Sequence, residues 1–237
     1  LVGDSHMITL GKSLYDYSFK EKINFTTMTN GGCYFFPDLD YINLKTKKVV
    51  FGCNKKYQFK RIENILNKDN SIIILGGNLN RYLSNTDING IASDFIFDNS
   101  NISFEDSFKK NLNLILEKNK VILIYPIPEI PFNPLIKIFE TSNSLNYNDL
   151  KKYVKTNELK ISLDKYFIRS QNSFNFLDTF NHKNLFKIFP HEVFCDDTNC
   201  FVHNSDKLFY FDSEHLSISG ANILSDLIIK KIEEIKF

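Results

Sequence analysis

Two short runs constrain this chain more than anything else in it. Ser71-Ile72-Ile73-Ile74-Leu75 and Lys120-Val121-Ile122-Leu123-Ile124-Tyr125 are nearly unbroken apolar stretches of strand length. A strand with one wet face alternates apolar and polar residues. A run apolar on both faces belongs inside a parallel sheet that is covered on both sides. Between such runs lie stretches with helical spacing: Met7, Leu10, Leu14 and Tyr17; Tyr57, Ile62, Ile65 and Leu66; Phe108, Leu112 and Ile115; Ala221, Leu224, Ile228 and Ile232. Ile23–Thr29 and Leu185–Pro190 read as further strands. Strand and helix thus alternate along the chain, which predicts an α/β fold. The expected form is a three-layer α/β/α sandwich of about five parallel strands, wound as in flavodoxin.

In such folds ligands collect at the carboxyl edge of the sheet, so the residues just after each strand carry the chemistry. Leu1-Val2 runs into Gly3-Asp4-Ser5-His6 and then into a helical pattern. A serine at that junction exposes its hydroxyl beside the free N–H groups of a helix start. This suits a nucleophile whose intermediate carries an oxyanion. Alone, Gly-Asp-Ser is equally an ordinary turn and N-cap. The far end changes the balance. Asp212 and His215 lie three apart in Phe211-Asp212-Ser213-Glu214-His215, just before the last helical pattern. That spacing lets a carboxylate hold the imidazole Nδ1–H and leaves Nε2 for a serine proton. An isolated Asp-x-x-His reads as a helix cap and a surface histidine; paired with Gly-Asp-Ser it reads as the other two members of a triad. Gly31-Gly32, after the second strand, lets the backbone approach a ligand. Asn78, after the third, brings an amide that can donate to an oxyanion.

These blocks, Gly-Asp-Ser-His and Asp-x-x-His-Leu-Ser-x-x-Gly-Ala, resemble the SGNH hydrolase superfamily. More narrowly, they resemble the C-terminal SGNH domain of bacterial acyltransferase-3 membrane proteins, which O-acetylate cell-surface glycans. The resemblance covers nearly the whole chain. It implies Ser5 as nucleophile, His215 as base and Asp212 as its orienting acid. It implies an oxyanion hole from the Ser5 N–H, the Gly31 or Gly32 N–H and the Asn78 amide. The narrower group often has Arg-Trp where this chain has Asn78-Leu79, and keeps a tyrosine at Tyr82. The departure makes Asn78 more like the general hydrolases.

The resemblance further implies disulfides Cys33–Cys53 and Cys195–Cys200. By themselves four cysteines allow three pairings, and free thiols or a zinc site are the rivals. Disulfides place the domain in an oxidising compartment. No bound cofactor is expected: the implied acetyl donor is a partner membrane domain, and the implied acceptor is a glycan at the periplasmic face. One alternative is an esterase that removes acyl groups from carbohydrate or lipid. Another, of a different class, is a glycan-binding module without chemistry, against which the intact triad argues.

Composition sets outer bounds. The chain has 237 residues, 43% hydrophobic and 24% charged, enough for one core, and one domain is expected over residues 1–237. Lys+Arg is 29 and Asp+Glu 28, a net charge of +1 that gives no case for nucleic acid. No run reaches the ~18 apolar residues of a membrane helix, and no signal peptide is legible. Only Leu1 and Val2 precede Gly3, whereas a central strand has about 5–6 residues. The domain is therefore expected to be excised from a longer membrane protein.

Residues 34–53 read as irregular with a strand-like Lys47–Phe51, residues 83–100 as a polar loop, and residues 135–158 as an interrupted helix. Leu159–Phe176 reads as amphipathic. Pro126-Ile127-Pro128-Glu129 reads as a fixed wall of the cleft with Glu129 exposed. Tyr82 reads as packing. His6, His182, His191 and His203 read as structural or exposed, with His6 near the site.

Overall fold

The computed structural model describes residues 1–98, 101–142 and 146–235. The chain opens with β1 (Val2–Gly3), α1 (Ser5–Lys20), β2 (Met28–Thr29), β3 (Tyr41–Asn43) and α2 (Lys55–Leu66). It continues through β4 (Ile72–Gly76), α3 (Leu79–Ser84), β5 (Phe95–Phe97), α4 (Phe104–Leu116) and β6 (Lys120–Ile124). Then come α5 (Pro134–Ser142), α6 (Tyr147–Thr156), β7 (Lys160–Ser162) and α7 (Leu163–Asp178). The last elements are β8 (Leu185–Ile188), α8 (His191–Phe194), β9 (Asn199–Phe201) and α9 (Ile218–Ile235).

Five strands form the central sheet in the order β2-β1-β4-β6-β8, all parallel. Counted within the sheet this is the 2-1-3-4-5 winding expected from the alternation of patterns. The two apolar runs sit at its centre as β4 and β6, paired Ile73↔Val121 and Ile74↔Ile122. Side chains alternate across a strand. Ile74, Ile122 and Ile124 therefore face α1 and α9, with Leu10, Leu14, Leu224 and Ile228 in one core. Ile73, Leu75, Val121 and Leu123 face α2 and α4, with Ile62, Ile65, Phe108 and Leu112 in the other. The result is the three-layer α/β/α sandwich.

Several elements differ from the sequence pattern, each for a tertiary reason. The sequence predicts a strand over Ile23–Thr29; in the structure the strand is Met28–Thr29, paired with Val2 and Gly3, and Leu1 adds a bond from its amino group to the Thr26 carbonyl at 2.8 Å. Lys47–Phe51 is no strand; it contributes one bridge, Ile42↔Val49. Residues 83–100 are not all loop: β5 pairs antiparallel with β3 over Tyr41↔Phe97 and Asn43↔Phe95. β7 and β9 form a second small antiparallel pair. The helix expected over 135–158 is divided between α5 and α6; residues 143–145 lie outside the described residues. Both disulfides, Cys33–Cys53 and Cys195–Cys200, are formed. Among the described residues no helix is long and apolar enough to cross a membrane.

Candidate active site

The site is assembled where β1 and β4 end side by side. Gly3 and Gly76 are paired there, and a Cβ on Gly3 would stand 2.1 Å from the Gly76 carbonyl oxygen. Gly77, at φ +148°, leaves room for Tyr34 and Asp4, which a Cβ would meet at 2.5 and 2.7 Å. These glycines let the ends of two strands and the loop after Gly32 converge. Asp4 is the N-cap of α1 and is 1% exposed. One of its oxygens accepts the His6 N–H at 3.0 Å and the other the Asn78 N–H at 2.8 Å. The carboxylate thus ends a helix and ties the first loop to the third.

Ser5 follows as the first residue of α1, so its N–H lies outside the intrahelical ladder. Its Oγ lies 2.8 Å from His215 Nε2. His215 Nδ1 lies 2.8 Å from Asp212 Oδ2. Asp212 is itself fixed by the local turn, its Oδ1 accepting the N–H groups of Glu214 at 2.9 Å and His215 at 2.7 Å. An acceptor on Nδ1 fixes the tautomer that leaves the Nε2 lone pair toward Ser5. Ser217 Oγ accepts the Ser219 and Gly220 N–H groups, starting α9 directly after the turn. The three residues predicted as a triad therefore form one continuous hydrogen-bond chain.

Gly31, Gly32 and Asn78 line the same cavity as Ser5, about 260 Å³ in volume, with Tyr41 and Tyr82 as apolar walls. Among the described residues neither the Gly31 nor the Gly32 N–H has a hydrogen-bond partner. The Asn78 amide has two. Its Oδ1 accepts the Arg81 N–H as N-cap of α3, and its Nδ2 donates to Glu214 Oε2 at 2.5 Å. Tyr82 packs against Tyr34, Tyr41 and Phe36, as its apolar ring predicts. Among the described residues no group of three or more His, Cys, Asp or Glu is arranged to hold a metal.

Glu214 and Arg61 escape pattern reading, and His6, expected near the site, is buried there. Glu214 sits between Asp212 and His215 and lines the cavity. The adjacent His6, with Nε2 3.9 Å away, leads the groups that hold its carboxyl at about 2; His215 and Arg81 add to it, against the opposing effect of burial. For His6 itself burial favours the neutral ring, but Glu214 and Asp4 together lift its pKa above 6.5. Its ring stands edge-on to His215 at 5.2 Å. Arg61, from α2, is 3% exposed. It donates to the carbonyls of Gly3 at 3.1 Å and Tyr34 at 2.9 Å, and to Cys33 at 3.3 Å. The residue before the Asp4–Ser5 pair and the chain after Gly32 thus hang on one guanidinium. Burial lowers its pKa to about 10, so it stays charged.

One expectation is corrected outright. Glu129 is not an exposed loop carboxylate but 3% exposed, paired with Arg169 Nε at 2.6 Å and reached by Asn80. A buried carboxylate needs such a partner, and Arg169 comes from α7, far away in sequence. His203 is also buried, its Nε2 accepting the Leu159 N–H.

The model of the SGNH domain fused to AT3 domains matches residues 1–230. The chain belongs to that family. A solved structure of similar fold is the periplasmic domain of the lipopolysaccharide acetyltransferase of Salmonella ser. Paratyphi A. It superposes with a TM-score of 0.57 at 21% identity, over 98% of this chain and 82% of that one. At that identity the likeness is one of fold. No curated protein matches the chain.

Proposed function

We propose that this SGNH domain transfers an acyl group, of acetyl size, through a covalent ester on Ser5 to a hydroxyl of a cell-surface glycan. The observation that carries this reading is the Ser5–His215–Asp212 chain, with both hydrogen bonds at 2.8 Å. Its position on a cavity with free glycine N–H groups supports it further.

His215 Nε2 takes the Ser5 hydroxyl proton as Oγ bonds to the acyl carbonyl carbon. Asp212 stays ionised and stabilises the imidazolium. The Ser5 N–H, a Gly31 or Gly32 N–H and the Asn78 amide donate to the oxyanion; the amide reaches it once Glu214 is displaced. The leaving group departs with the proton from His215, and Ser5 holds the acyl ester. An acceptor hydroxyl then gives its proton to His215 and attacks the ester. Collapse returns the proton to Ser5 Oγ and releases the acylated acceptor. The donor in this reading is an acetyl group handed over by an AT3 membrane domain, as the family's fusion supports. The domain itself holds no cofactor and works at the extracytoplasmic face, tethered to the membrane.

Hydrolysis of a chromogenic acetyl ester by the purified domain tests the core of this. Ser5→Ala and His215→Ala are expected to lower turnover by ~10⁴-fold or more, and Asn78→Ala by ~10²–10³. Equal rates in folded wild type and Ser5→Ala would sink the serine mechanism.

A further inference from the structure

A second cavity adjoins the one at Ser5. It measures about 270 Å³ and shares Arg81, Phe95 and Glu214 with it. On the far side of these three it is closed by the turn at Asp87–Ile91 and by Ser213 of the Asp212–His215 turn. The two cavities differ in character. The one at Ser5 is walled by Tyr41, Val50 and Tyr82 and has room for a small acyl group. The second is lined by Asp87, Asn89, Ser93 and Asp94 and is open to water at Asn89 and Asp94.

Building on the acyl-transfer reading, we propose that this second cavity is the subsite for the acceptor, a neutral sugar ring. The shared wall has what such a ring requires. Sugar hydroxyls both donate and accept, and the ring's C–H face is apolar. The Arg81 guanidinium makes no hydrogen bond among the described residues; its one charged neighbour is Glu214 Oε1 at 3.9 Å. Its N–H donors are therefore free for hydroxyl lone pairs. The Glu214 carboxylate has one oxygen on Asn78 and the other free to accept from a hydroxyl. Phe95 presents a half-buried ring backed by Tyr41 at 5.6 Å, a flat wall for the C–H face. Asp94 is paired with Lys45 at 2.6 Å and Glu214 faces Arg81, which leaves Asp87 as the unmatched charge among the lining residues and disfavours phosphate- or carboxylate-bearing acceptors.

The geometry also sets the order of events. A hydroxyl on a ring in the second cavity reaches the Ser5 ester across the Arg81–Glu214 pair. The new C–O bond then forms to the sugar oxygen as the Ser5 C–O bond breaks, and the sugar proton passes through His215 to Ser5.

The domain is incubated with a chromogenic acetyl ester and methyl glycosides of glucose, galactose and mannose, and free acetate and acetylated sugar are quantified separately. Acetylated sugar is expected with at least one glycoside, dependent on Ser5. Ala92→Trp, which fills the cavity, and Asn89→Ala, an exposed position chosen to leave folding intact, should each lower the ratio of acetylated sugar to acetate. The Trp variant is expected to lower it ~10-fold. Amide shifts on titration with the same glycosides should concentrate in residues 87–95. The subsite is overturned by an unchanged ratio in both variants, or by no acetylated sugar with any of the three glycosides. Acetate release that does not depend on Ser5 would instead overturn the acyl-transfer reading itself.

Discussion

The two ends of the chain meet at Ser5 and His215, but they are held by opposite means. The first segment is part of the core. Asp4 is 1% and His6 2% exposed. Arg61 holds the Gly3 carbonyl, and Asp4 ties α1 to the loop after β4. The Asp212–His215 turn lies at the rim. Phe211, exposed, stacks on His215 at 5.5 Å. The turn is held by itself, through Asp212, by the Ile130 N–H donating to the Ser213 carbonyl at 2.8 Å, and by the Asn78 amide donating to Glu214. Ser5 is therefore fixed by the fold, and His215 by a local turn. Damage to the first should cost stability and activity together; damage to the second should cost activity nearly alone.

Paired substitutions sharpen this contrast. Asp212→Ala is expected to lower ester turnover by ~10⁴-fold with little change in Tm, because its hydrogen bonds lie within one half-exposed turn. Asp4→Ala should lower stability as well as activity. It removes an N-cap, worth ~1 kcal/mol, and leaves the Asn78 N–H buried without a partner, at about 1–3 kcal/mol. A loss of about 2–4 kcal/mol, read by urea unfolding, is the expected outcome. If Asp212→Ala proves the more destabilising of the two, the comparison is inverted.

The smallest expected effect concerns the pair that joins the two segments, His6 and Glu214. His6 is raised above 6.5 in the fold, so its protonated form contributes stability that is full below 6.5 and fades as pH rises through the raised value. Glu214 is held at about 2 against 4.5, so its contribution is full above 4.5 and fades as pH falls toward 2. The pair therefore stabilises the site most between the two. Glu214→Gln removes the main partner lifting His6 and leaves burial to favour the neutral ring. The His6 imidazole, followed by NMR titration, should then titrate lower than in wild type; an unmoved midpoint would show that the two are not coupled.

Most of the framework was legible in the sequence because it rests on local periodicity. β4 and β6 are apolar on both faces and could only be central strands. The period of α1 and α9 points Leu10 and Leu224 inward whatever else happens. That Ser5, Asp212 and His215 come together was legible because a strand–turn–helix junction and a helix entry each demand particular residue types. What stayed hidden depends on distant partners. Three-residue strands such as β3 and β5 have too few positions to show a period and exist because Tyr41 and Phe97 face each other. Arg61 looks like an ordinary helix-surface arginine until the Gly3 and Tyr34 carbonyls arrive beside it. Glu129 is buried only because α7 supplies Arg169. Glu214 occupies one of the two unspecified positions of Asp-x-x-His, where the motif says nothing about the side chain.

The account stands on a covalent ester at Ser5, and mass spectrometry of the acid-quenched domain after brief incubation with an acetyl ester tests it most directly. One acetyl group on the peptide containing Ser5, appearing before product accumulates and absent from Ser5→Ala, is the predicted result. Turnover with no adduct on that peptide, or with the acetyl group on another residue, would contradict it.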